Sequence, residues 1–111
     1  NTLGEHESNA FYEKYAVHES RQVLRDIMGD EGHIDLKSPH APLLLIGAQE
    51  DAIIPSQLVR RNAHAYEDER SHHEYTDFSA RDHFICGAPG WEEVAERIAN
   101  WLTGHLSAVR S

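Results

Sequence analysis

Asp51 and His83 are the two side chains whose positions in this sequence combine into a definite chemistry. Each follows a short stretch that reads as a β-strand. Pro42-Leu43-Leu44-Leu45-Ile46-Gly47 is a continuous apolar run closed by glycine, the pattern of a strand buried on both faces. Asp51 lies in the loop after it, together with Gln49 and Glu50. His73 to Phe78 is a second, more polar strand suited to a sheet edge, and Arg81, Asp82 and His83 lie in the loop behind it. In an open parallel sheet, loops at the carboxyl ends of the strands carry the ligand and catalytic groups. Neighbouring strands lie about 5 Å apart, so Asp51 and His83 are expected on adjacent loop tips, within reach of a hydrogen bond. A carboxylate paired with imidazole fixes its tautomer and stabilises the imidazolium, leaving the other ring nitrogen as a general base. That is half of a hydrolytic machine.

Plainer roles compete for the same residues. An aspartate close to a loop-to-helix junction often caps the following turn, and His83 is one of nine histidines. What selects His83 is its place directly after the second strand, with Phe84-Ile85 behind it. Cys86 stands three residues further on, but no nearby feature activates it, and a small buried cysteine is expected. His72-His73-Glu74 has no second ligand pair at a metal-binding spacing, and adjacent strand residues point to opposite faces. No metal site is expected there.

The elements that must position Asp51 and His83 read as strand, helix, strand, helix. Pro55-Ser56 opens a helix with the stripe Leu58, Val59, Asn62, Ala63 and Tyr66. Pro89-Gly90 precedes the clearest helix, with Trp91, Val94, Ala95, Ile98, Trp101 and Leu102 on one face. Trp91 and Trp101 read as core anchors. Glu92 and Glu93 suit its first turn, and Gly104-His105 its end. Strand–helix–strand at this spacing predicts a right-handed βαβ crossover with parallel strands. Two parallel strands are not stable alone, and Leu43 to Ile46 calls for a neighbour on each side where the sequence supplies one.

Before Gly29, Gly32, Pro39 and Pro42 the chain reads as two helices over residues 1–29. Phe11, Tyr12, Tyr15 and Ala16 recur at helical spacing, Ser20 suits an N-cap, and Val23, Leu24, Ile27 and Met28 form one stripe that Gly29 ends.

Composition narrows the functional classes. A chain of 111 residues holds one small domain. Ten Lys plus Arg against nineteen Asp plus Glu give a net charge of −9, which speaks against nucleic-acid binding and docking on anionic membranes. The longest apolar run, Leu43 to Ile46, is far short of a membrane span. One cysteine excludes an internal disulfide and, with no leader read, makes the cytoplasm the default compartment. The opening at Asn1, in mid-helix sequence, reads as the tail of something longer.

Taken together, the apolar run 42–47, Asp51, Ile53-Ile54-Pro55, Phe78, Arg81-Asp82-His83-Phe84 and Pro89-Gly90-Trp91-Glu92-Glu93-Val94-Ala95 resemble the C-terminal third of α/β-hydrolase fold proteins. The likeness is to the esterase- and lipase-like group with a helical cap and covers residues 40–105. Residues 1–35 are similar to the end of the cap and its connector, and residues 36–111 to the C-terminal βαβα part of a three-layer core. The resemblance implies Asp51 as triad acid and His83 as triad base, in the acid-before-histidine order of that family. It also implies Ile53, Ile54 and Phe84 as substrate contacts, although of the two isoleucines one is expected in the core. No cofactor is implied. Ala80, Arg81 and Asp82 stand where the family has glycine and a small residue, and no Gly-x-Ser-x-Gly elbow is present.

Two functions follow as expectations. In the first, the chain is a fragment of a serine hydrolase acting on a small-molecule ester or acyl substrate, inert without the half that bears the nucleophile. In the second, it is a non-catalytic α/β module that buries the bare edge of its first strand in a homo-oligomer.

Overall fold

A computed structural model describes residues 2–109. The elements run α1 (Glu5–Tyr15), α2 (Arg21–Met28), a 3-10 turn (Asp30–Gly32), β1 (Leu43–Ala48), α3 (Ser56–Ala65), β2 (His73–Phe78) and α4 (Trp91–Val109). The molecule is α/β, and it divides into a unit spanning Leu3–Leu36 and a unit that holds Thr2 and the sheet from Lys37 onward. Among the described residues, no helix is long and apolar enough to cross a membrane.

In the helical unit the expected stops and starts are visible. The Ser20 hydroxyl accepts from the Gln22 N–H at 3.1 Å and begins α2. Gly29 ends it with an extended backbone, φ −100°, its N–H donating to the Asp26 carbonyl at 3.2 Å. No residue of α1 or α2 is buried, and on α1 the Phe11 ring stacks on that of Tyr15 with centroids 5.9 Å apart.

In the sheet unit, β1 and β2 pair in parallel with Leu43 opposite His73 and Ala48 opposite Phe78. Side chains alternate across the sheet, and two contacts show which helix lies on which face. Tyr75 donates its hydroxyl to the Ser56 carbonyl of α3 at 3.2 Å. Arg97 of α4 donates to Glu74 and, at 3.0 Å, to the Thr76 hydroxyl. Tyr75 lies between Glu74 and Thr76, so α3 and α4 cover opposite faces. Asp68 and Ser71 organise the turn into β2: the Ser71 hydroxyl donates to Asp68 at 2.6 Å and accepts from the His40 N–H at 2.9 Å. That contact ties the segment entering β1 to the one entering β2.

Burial departs from the sequence reading at several points. Leu43 to Ile46 are half-buried rather than enclosed on both faces, and among the described residues β2 is the one strand beside β1. The buried apolar side chains among the described residues are small: Ala48, Ala63, Ala88 and Val94. Trp91, the first residue of α4, is 46% exposed and is no core anchor. Cys86 is exposed, not buried, because it lies in the turn between β2 and α4. Finally, α4 runs on through Gly104 to Val109. A Cβ at Gly104 would meet open space, so the glycine is not required there by a close approach.

Gly47 gives the packing a sharp test. A Cβ at this position would meet the Tyr75 hydroxyl oxygen at 2.5 Å and the Ser56 Cβ at 3.1 Å. Gly47→Ala is expected to cost about 1–3 kcal/mol, the usual range for overpacking. In a Tyr75→Phe background, where the colliding oxygen is gone, the same change should cost less, the Ser56 Cβ at 3.1 Å and the ring carbon Cζ at 3.2 Å remaining. Urea unfolding of the four variants measures that coupling, and equal costs in both backgrounds would refute the contact.

Candidate active site

The carboxyl ends of β1 and β2 are level, and backbone hydrogen bonds continue past them into the loops. Gln49 N–H donates to the Phe78 carbonyl at 3.0 Å and Glu50 N–H to the Arg81 carbonyl at 2.8 Å. Asp51 N–H turns back to the Ala48 carbonyl at 3.2 Å. These bonds bring the Asp51 loop alongside the Arg81–Asp82–His83 loop before any side chain is considered.

His83 Nδ1 lies 3.0 Å from Asp51 Oδ2. The other carboxylate oxygen, Oδ1, accepts the N–H groups of Ile53 and Ile54 at 2.8 and 2.9 Å. One aspartate therefore both caps the turn leading into α3 and holds the histidine. Its side chain is 9% exposed, whereas that of His83 is 51% exposed. An ionised carboxylate only accepts, so Nδ1 carries the shared proton. In the neutral ring Nε2 is then a bare lone pair, and among the described residues it has no protein partner.

Burial pushes the Asp51 carboxyl up, but the Ile54 N–H, the His83 ring and the Ile53 N–H together outweigh it and hold the group below its ordinary value of 3.8. Asp82, the neighbour of His83, is buried and turned to other partners. Thr2 donates to it from its N–H at 2.9 Å and its hydroxyl at 3.1 Å, and the Phe84 N–H donates at 3.0 Å. Those bonds, the Thr2 N–H foremost, hold the Asp82 carboxyl low against the opposing effect of burial.

The remaining residues singled out from sequence are placed less tightly. Ile53 and Ile54 are 70% and 41% exposed, so neither joins the core. They serve Asp51 through their backbones, and their side chains flank the loop. Phe84 is half-buried, its ring where a Cβ on Gly87 would stand. Among the described residues no hydroxyl or thiol bonds to His83, and no three His, Cys, Asp or Glu side chains gather as metal ligands. The arrangement can orient an imidazole and accept a proton at Nε2.

The sign of the acid dependence follows from the lowered Asp51 group. Its contribution to stability is complete above its unfolded value, 3.8, and fades as pH falls from there through the lower folded value. Asp51→Asn keeps an oxygen for the Ile53 and Ile54 N–H groups but cannot ionise. The stability gap between the two proteins should therefore be constant near pH 5 and narrow below about pH 4. Denaturant unfolding across that range checks it, and a gap that widens toward acid would contradict the assignment. Compared with known proteins, the chain matches no family model, no curated protein and no solved structure.

Proposed function

We propose that this chain carries the acid and base of a serine hydrolase of the α/β-hydrolase type, which cleaves carboxylic esters or related acyl compounds when a nucleophile-bearing portion is present. The observation that carries the reading is the Asp51–His83 pair, 3.0 Å from Oδ2 to Nδ1, at the carboxyl ends of a parallel βαβ unit with its free ring nitrogen open. A serine hydroxyl presented to Nε2 would give up its proton there as its oxygen attacks the substrate carbonyl. The imidazolium so formed, steadied by Asp51, would return that proton to the leaving alcohol. Ile53, Ile54 and Phe84 would flank the acyl or alcohol group.

Treated with a fluorophosphonate probe, the purified chain should keep its intact mass of 12.6 kDa without an adduct. Ester hydrolysis should appear only with a polypeptide that supplies a Gly-x-Ser-x-Gly elbow. In that assembly His83→Ala is expected to lower kcat by about 10⁶-fold and Asp51→Asn by about 10⁴-fold. Activity that survived either change would end the assignment.

A second reading, a self-associating module without catalysis, is favoured by the free edge of β1. Leu43 N–H donates to the His72 carbonyl and Gln49 N–H to that of Phe78. In a parallel ladder alternate residues bond to one neighbour. The N–H and C=O groups of Leu44 and Ile46 therefore face away from β2, toward a site another strand would fill. In this reading, light scattering at micromolar concentration gives a mass above one chain. Leu44→Pro deletes one outward N–H without touching the β1–β2 ladder and should return the mass to one chain. A cooperatively melting monomer would rule the module out.

A further inference from the structure

We infer that Arg81 is the positioning residue of the Asp51–His83 pair: its carbonyl and its guanidinium together set the separation of the two loops. The inference rests on the hydrolase reading for its purpose, though the geometry stands by itself.

The backbone carbonyl of Arg81 accepts the N–H of Glu50, the residue before Asp51, at 2.8 Å. The side chain then folds back on its own loop. Nη1 donates to the Ser79 carbonyl at 3.3 Å, while Nη2 donates to the Gly90 carbonyl at 3.2 Å and to Glu93 at 2.8 Å. The loop that leaves β2 is thereby tied at its beginning and at the start of α4. Two backbone features make room for this. Ala80 takes a left-handed φ of 53°, which reverses the chain just before Arg81. Gly90, at φ 88°, lies against the guanidinium, where a Cβ would stand 2.6 Å from Nη2. The side chain is only 16% exposed, and its Nε is buried with no partner. A buried donor without an acceptor costs stability, so the placement is held by the contacts at the other end of the fork. A planar fork can satisfy acceptors in different directions at once, and an ammonium cannot hold the same geometry. His83 is thus bracketed. Arg81 fixes the backbone on one side, and Asp82, bonded to the Phe84 N–H, fixes it on the other.

A purely structural arginine would steady α4 and leave the imidazole as it is, so the test reads the imidazole. In ¹H–¹⁵N spectra of the full chain, the His83 Nδ1–H signal is identified by its loss in His83→Gln and in Asp51→Asn. Arg81→Lys is expected to lose that signal while the far-ultraviolet circular dichroism stays that of the folded chain. Arg97→Ala removes the tie of α4 to Glu74 and Thr76, and should keep the signal. If Arg81→Lys does not fold, Glu93→Ala gives the reading instead, because that side chain is 67% exposed. There the Nδ1 proton should exchange with water several-fold faster. A signal retained in Arg81→Lys, an unchanged exchange rate in Glu93→Ala, or an equal loss in Arg97→Ala would each overturn the inference. None of these readouts is hydrolysis. An inactive assembly would count against the hydrolase reading and leave the positioning role intact.

Discussion

The register of one parallel strand pair determines nearly everything that can be said about Asp51 and His83. With Ala48 opposite Phe78, the strands end level, and the ladder continues through Gln49 and Glu50 into the two loops. A slip of one residue would move one loop about 3.3 Å along the other and separate a pair now 3.0 Å apart. It would also exchange the faces of β2. Tyr75, bonded to the Ser56 carbonyl of α3, would turn toward α4, and Glu74 and Thr76 would leave Arg97. Polar contacts on both faces therefore hold the register, each incompatible with the shifted alternative.

That register is maintained with little apolar burial. Three alanines and one valine make up the buried apolar side chains among the described residues, while Ile98 and Leu102 of α4 and Leu58 of α3 stay exposed. Burying a leucine or isoleucine stabilises by about 1.5–3 kcal/mol, whereas an exposed ion pair contributes about 0–1 kcal/mol. Polar ties such as Arg97 to Glu74 or Ser71 to Asp68 fix direction well and stabilise weakly. A second neighbour for β1 would add apolar burial. Both functional readings supply it: one covers the edge with the remainder of a larger sheet, the other with another copy.

The strands were legible from sequence almost to the residue. Apolar run, closing glycine and flanking prolines are local signals, and 42–47 and 73–78 answer to β1 at Leu43–Ala48 and β2 at His73–Phe78. Ser20 at the start of α2 was equally local. Exposure was not legible, and the reason is physical. Spacing says which way Trp91, Ile53 or Cys86 points from its own backbone, while burial depends on what another element brings there. Arg81 shows the same limit within the site. In sequence it is a bulky residue where the resembled family has a small one. Only the fold shows that its fork reaches Gly90 and Glu93, nine and twelve residues away.

Asp51 shows why a capping role and an orienting role need not compete. Burial alone would favour the neutral acid, which holds an imidazole poorly and can donate to it as readily as accept. The two N–H groups of Ile53 and Ile54 reverse that preference by binding the charged form at Oδ1. They also fix the carboxylate plane, so Oδ2 points at His83 without that contact having to order the side chain itself. The entropy of holding the aspartate still is met by a turn that the entry to α3 requires in any case. A loop aspartate lacking such a cap would be both more mobile and easier to protonate. The cap is what makes this carboxylate a dependable partner for a base.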